Sequence, residues 1–200
     1  MPTVVHLVRH AEVENPANIW YGLLDGYPLS AAGRARAAKL GEFFAGHRLA
    51  AVYASRLERA QETAAAIASP HEIDVQTSPE IIEAYTHLEG RPVQSRVMLV
   101  VTNVRYFVNP FHPTWGEPYR EVAARMVRGI TAVRLAHPGE ESVVVSHMTP
   151  IQVGRLAIEG RRLRPWLAKV PCARGSVTTL VFEDDRWVRT EYQEVGGPGS

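Results

Sequence analysis

Apolar positions along this chain fall into short β-branched runs separated by longer stretches with helical spacing. Val4-Val5-His6-Leu7-Val8 and Val143-Val144-Val145-Ser146 are the two most compact runs. Runs of that length and makeup are typical of strands buried on both faces of a parallel sheet. The pattern predicts a strand at 3–8, a long loop, a helix at 30–46, a strand at 51–54, a helix at 56–68 and a strand at 73–77. An irregular stretch follows, then a helix at 118–136, a strand at 142–146, a helix at 150–159 and strands at 176–183 and 186–193. Ser30 is an N-cap residue type placed just before Ala35, Ala38, Leu40 and Phe43. Glu183-Asp184-Asp185 reads as the polar turn of an antiparallel hairpin. Strands alternating with helices predict an α/β fold, a three-layer α/β/α sandwich on a mainly parallel central sheet.

Composition narrows the class. The 200 residues predict a single domain over 1–195, with Gly196-Gly197-Pro198-Gly199-Ser200 as a flexible C-terminal tail. Lys and Arg number 22 against 21 Asp and Glu, so the balance carries no nucleic-acid or membrane footprint. Cys172 is the only cysteine, which excludes an internal disulfide and a zinc-finger pattern. The N-terminus runs straight into a strand with no signal-type segment, and no apolar run nears the roughly 20 residues of a membrane helix. A cytoplasmic protein, monomer or homodimer, is the expectation. Between Pro92 and Pro118, Tyr106, Phe107, Phe111 and Trp115 crowd a stretch broken by prolines. It reads as a packed surface excursion or as a wall over a site.

The two apolar runs deliver Arg9-His10 and His147-Met148-Thr149-Pro150 at their carboxyl ends. Ligands of open α/β sheets sit in the crevice beyond those ends, at a topological switch point. If the strands are neighbours, their ends lie roughly 5 Å apart, close enough for both imidazoles to flank one small anion. Two imidazoles beside an arginine suggest phosphoryl chemistry through a histidine nucleophile. The alternative for His10 is a hydrogen-bonded structural histidine. His6 and His10 also have the spacing of a helical zinc pair, but a strand sets them about 13 Å apart. With no cysteine or acidic cluster to complete a site, no metal is expected. Ser55-Arg56-Leu57-Glu58 fits a capping box, which places Arg56 and Arg59 in a first helical turn. Cations are poorly placed there unless they point into an anion site that the helix end also favours.

Four blocks carry a resemblance. Val8-Arg9-His10-Ala11-Glu12 resembles the Arg-His-Gly signature of the histidine phosphatase superfamily, the group that includes cofactor-dependent phosphoglycerate mutase. Leu29-Ser30-Ala31-Ala32-Gly33-Arg34 resembles the start of its first helix, and Ala54 to Ala64 its Ser-Pro-Leu-x-Arg-Ala-x-x-Thr-Ala helix. Val145-Ser146-His147 resembles its late Ser-His-Gly. The blocks occur in order across nearly the whole chain. The resemblance implies a phosphoglycerate mutase-like fold with His10 as a nucleophile that becomes phosphohistidine. Arg9, Arg59 and His147 would hold the phosphoryl oxygens, where positioned cations stabilise the charge of transfer. Asn15 is carried over as a phosphate contact, one residue earlier than the asparagine many members use. No cofactor is implied, and the partner is a small phosphorylated substrate.

The resemblance also implies a proton donor in a hydrophobic–x–Glu pattern followed by Glu-Gly. Ile81-Ile82-Glu83 followed by Leu88-Glu89-Gly90 fits, which makes Glu83 the candidate and Glu89 the runner-up; Glu80 reads as surface. Ala11, Arg56 and Met148 depart from the usual glycine, proline and glycine, and Gly116-Glu117 resembles the Gly-Glu before the family's late helix. Mutases share an arginine just after the acid, but here Ala84-Tyr85-Thr86-His87 follows Glu83. Hydrolysis of phosphohistidine by water is therefore expected over mutase transfer, or over a non-catalytic phospho-ligand binder. Specificity is expected from the loop between Glu12 and Tyr27, the 92–118 stretch and Met148.

Overall fold

A computed structural model describes residues 1–93, 116–163 and 170–196. The β-branched runs become strands β1 (Thr3–Arg9), β2 (Leu49–Ala54), β3 (Val75–Thr77), β4 (Glu141–Ser146), β5 (Ser176–Glu183) and β6 (Arg186–Glu194). The helically spaced stretches become α1 (Ala31–Phe44), α2 (Glu58–Ala68), α3 (Tyr119–Ala136) and α4 (Met148–Ile158). One sheet forms in the order β3-β2-β4-β1-β5-β6. β3, β2, β4 and β1 run parallel, while β5 and β6 are antiparallel additions. From β1 the chain leaves through α1 toward β2, and from β4 it leaves through α4 the opposite way, toward β5. The carboxyl ends of β1 and β4 thus border the switch point, where a crevice opens.

Each sheet face buries one helical layer. On one face Leu40 and Phe44 of α1 and Ala60, Ala64 and Ile67 of α2 pack on Val8, Val52, Val143 and Val145. On the other, Met126, Ile130 and Val133 of α3 and Ile151 of α4 pack on Val5, Leu7, Val144 and Leu180. The opposite-face alternation of Leu7 and Val8 is what a doubly covered strand requires. Ser30 caps α1 as expected, accepting the Gly33 N–H at 3.0 Å. Gly33 itself has no room for a side chain, since a Cβ there would meet the Glu12 carbonyl oxygen. Asp184 and Asp185 take φ of 44° and 66°, the two left-handed positions of a tight hairpin turn.

One local expectation fails. Ser55 is not the cap of α2; Leu57 holds that position without a side-chain bond, and the helix begins at Glu58. Instead Ser55 continues the line of β2, its N–H bonded to the Val145 carbonyl at 3.2 Å, which frees its hydroxyl for the crevice. Of the 92–118 excursion, residues 94–115 lie outside the described residues, as does the tail at 197–200. No described helix is long and apolar enough to cross a membrane.

Candidate active site

β1 and β4 are paired neighbours, with Arg9 opposite Ser146. The His10 N–H continues the ladder by donating to the Ser146 carbonyl at 3.0 Å. This brings the His10 and His147 rings to 5.1 Å between centroids, with both side chains buried. His10 Nδ1 lies 2.8 Å from the Ala11 carbonyl oxygen. A carbonyl only accepts, so Nδ1 carries the proton and Nε2 keeps a lone pair. The Ala11 N–H donates to Thr63 Oγ1 at 3.2 Å, seating this turn on α2, and Ala11 stays outside the left-handed region.

Two arginines flank the pair. Arg59, in the first turn of α2, is only 1% exposed. Its guanidinium lies 4.8 Å over the Tyr21 ring, and its Nη2 donates to the Gly22 carbonyl at 2.5 Å. Arg9 Nη1 donates to the Cys172 carbonyl at 2.7 Å. His147 Nε2 shares a 2.6 Å hydrogen bond with Ser55 Oγ. Among the described residues eight side-chain nitrogen or oxygen atoms are buried without a protein partner, and three of them, Arg9 Nε, Arg59 Nε and His147 Nδ1, belong to this one cluster. Buried polar groups are nearly always satisfied, so this concentration of unpaired nitrogens marks a place built for an anion.

A model of the histidine phosphatase superfamily (branch 1) matches residues 5–194. The chain belongs to that superfamily. It is 44% identical over 197 residues to the uncharacterised protein Rv0525 of Mycobacterium tuberculosis, covering 96% of each chain. Phosphoserine phosphatase 1 of Hydrogenobacter thermophilus is 30% identical over 185 residues, with 90% of this chain and 87% of that one covered. The solved structure of Bacillus stearothermophilus YhfR superposes with a TM-score of 0.82 at 25% identity, covering 99% of this chain and 98% of that one.

In this member of the superfamily, burial is the largest influence on both imidazoles and holds each well below the ordinary histidine range. For His10, Arg59 and Arg9 push the same way; for His147, His10 itself and then the two arginines do. Both rings are thereby neutral at neutral pH. The carboxylates sort by their partners. Burial pushes Glu83 above the ordinary carboxylate range, opposed by the Ala84 N–H on its Oε1 at 2.8 Å and by Arg59, Arg9 and Arg125. Glu89 accepts the Leu23 N–H at 2.7 Å and so braces the loop that holds Arg59. Glu80 pairs with Arg128 at the surface. Asn15 holds the loop through one amide N–H, which its Nδ2 donates to the Ile19 carbonyl, and through its Oδ1, which accepts the Ile19 N–H, at 2.9 and 3.1 Å; its second N–H has no bond among the described residues. It closes a turn of the loop. Arg56 is exposed and pairs with Asp25 at 3.2 Å.

Two further features escape a reading of the sequence. One is the Ser55–His147 bond. The other is Arg125, which donates to Glu117 through Nε and Nη2 at 2.9 and 3.0 Å and to the carbonyls of Glu80, Ile82 and Glu83. Glu117 lies ahead of α3, in a segment whose Gly116 approaches Tyr85 too closely for any Cβ. The available signal was a charge on an apolar stripe, since Arg125 sits between Val122, Met126 and Gly129 on the buried side of α3. Arg125→Met strands Glu117 and three carbonyls, so we expect a stability loss of about 3 kcal/mol in urea unfolding. Its kcat for alkyl phosphates should fall more than its KM changes, because the displaced group is the backbone of Glu83.

Proposed function

We propose that this protein is a metal-independent phosphomonoester hydrolase acting on a small phosphorylated metabolite through a phosphohistidine at His10. The observation that carries the reading is the 2.8 Å bond from His10 Nδ1 to the Ala11 carbonyl, which leaves the Nε2 lone pair as the only nucleophilic atom of the ring. In the first step that lone pair attacks phosphorus, and the P–O bond to the leaving alcohol breaks. Glu83 supplies the proton to the departing oxygen; its raised proton affinity supports that role. Arg9, Arg59 and His147 hold the equatorial oxygens. The charge of the bound phosphate favours the imidazolium form of His147, which is neutral in its absence. In the second step water attacks phosphorus, the Glu83 carboxylate takes its proton, and the P–N bond returns its electrons to Nε2. Orthophosphate leaves and both groups are reset. Arg174, whose charge acts on His10 from the segment tethered to Arg9, adds to the attraction for an anionic substrate.

The residue after Glu83 is Ala84, which cannot grip a second phosphate, and this supports hydrolysis over mutase transfer. The test is a rapid quench of chelator-treated protein with a radiolabelled phosphomonoester. Acid-labile, base-stable label should map to the peptide carrying His10, and prolonged EDTA treatment should leave both the label and the turnover unchanged. Label on another residue, or turnover that EDTA abolishes and Zn²⁺ or Mg²⁺ restores, would overturn the proposal.

A further inference from the structure

We propose that His6, His47 and Glu141 form a second site, remote from the phosphate crevice, for a single divalent transition ion of the zinc type. The sequence gives no hint of it, because the three residues come from the middle of β1, the turn after α1 and the first position of β4. The fold gathers them so that one donor atom from each lies within 4.8 Å of the others. His6 Nε2 and His47 Nδ1 approach the same Glu141 oxygen, at 3.3 and 2.7 Å. Ligands about 2.0–2.1 Å from a tetrahedral zinc stand about 3.3 Å apart, so an ion needs a small opening of the His47–Glu141 pair and a closing of the imidazole nitrogens, which lie within 4.8 Å of each other.

The rings are already held as ligands are held. His6 Nδ1 lies 2.9 Å from the hydroxyl of Thr179, its partner across β5, which fixes the ring with Nε2 toward the carboxylate. A hydrogen bond on the far ring nitrogen is the usual support of a metal-bound histidine. The Thr179 hydroxyl can accept as well as donate, so it allows the tautomer that frees Nε2 for a metal. Phe44 packs at 5.3 Å from both imidazoles. The side chains of His47 and Glu141 are 29% and 36% exposed against 5% for His6, which opens a route inward and leaves room for water to complete the coordination. Across from Thr179, Glu191 of β6 adds negative charge to the same row. Two imidazoles and one carboxylate favour zinc-type ions over calcium or magnesium. Since a strand separates His6 from His10 by about 13 Å, the ion would tie the turn after α1 to the sheet and take no part in phosphoryl transfer.

The experiment is calorimetric titration of Zn²⁺ alone into full-length protein that carries no histidine tag and has been treated with chelator. The proposal expects one ion per chain and a rise in Tm of about 5 °C at a hundredfold excess over Kd. His47→Gln and Glu141→Gln should each weaken binding at least tenfold, while His10→Ala leaves it intact. Circular dichroism shows whether each variant is folded, and the half-exposed position of His47 keeps the test usable if Glu141→Gln is not. No saturable uptake up to about 1 mM, a concentration at which binding would be worth only about 4 kcal/mol, overturns the proposal. So does uptake that survives both substitutions, or uptake that His10→Ala abolishes, which would place the ion in the phosphate crevice.

Discussion

His10→Ala should lower kcat for p-nitrophenyl phosphate by at least about three orders of magnitude, the scale on which removing a covalent nucleophile acts. Alanine leaves no atom at the Nε2 position, and His147, anchored through Nε2 to Ser55, is assigned to holding the phosphoryl oxygens rather than attacking phosphorus. The fold should survive. The lost bond to the Ala11 carbonyl costs about 1 kcal/mol. A second measurement tests the electrostatics. Both crevice histidines are held below the ordinary value of 6.5, so just below that pH the unfolded chain binds protons that the folded chain refuses. Stability of the wild type should therefore fall as pH drops from 6.5 toward the depressed folded values, and rise again on return. His10→Ala removes one refused proton and should flatten that slope. A variant that keeps more than a tenth of wild-type turnover sinks the covalent mechanism, and an unchanged slope contradicts the electrostatics.

Most of the architecture could be read from periodicity, because Val4 to Val8 and Val143 to Val145 are short, β-branched and buried on both faces. That these two runs become neighbours follows from chain topology, which periodicity does not encode; it took the four ordered blocks to imply it. Local chemistry misled at Ser55. The residue has the right type and spacing for a capping box, yet its backbone continues the β2 ladder and its hydroxyl bonds the buried His147 imidazole, so the helix starts later, at Glu58. Asn15 could not be placed from sequence alone either: its amide closes a turn of its own loop through one N–H and its oxygen, and one Nδ2–H remains for a phosphate. Glu80, Glu83 and Glu89 are chemically identical in sequence and separate only through their surroundings: a surface arginine, a buried crevice, and a loop N–H. The partners of the Arg125 clamp and the His6–His47–Glu141 cluster could not be read for a simpler reason. Each joins residues that only the tertiary fold brings together.

Glu83→Gln should slow phosphoryl transfer from alkyl phosphates by about two to four orders of magnitude, the usual scale of general acid catalysis, and transfer from p-nitrophenyl phosphate far less. Glutamine preserves shape and hydrogen-bonding capacity but has no proton to give. An alkoxide is a poor leaving group and needs that proton as the P–O bond breaks, whereas p-nitrophenolate departs without it. The comparison must use single-turnover rates, since the same carboxylate serves as base when water attacks phosphohistidine, a step both substrates share. Burial sets the pH behaviour. It raises Glu83 above the ordinary 4.5, so the acid form persists to higher pH than for an exposed glutamate. It also lowers His10, so the nucleophile stays unprotonated at lower pH than usual. The alkyl phosphate rate should accordingly be maximal on the acid side of neutrality and decline as Glu83 ionises, and Glu83→Gln should erase that alkaline decline. Glu89→Gln is the control, because its carboxylate braces Leu23 instead of facing the crevice. A leaving-group-selective loss in Glu89→Gln but not in Glu83→Gln would reverse the assignment, and its absence from both would mean that the proton comes from elsewhere.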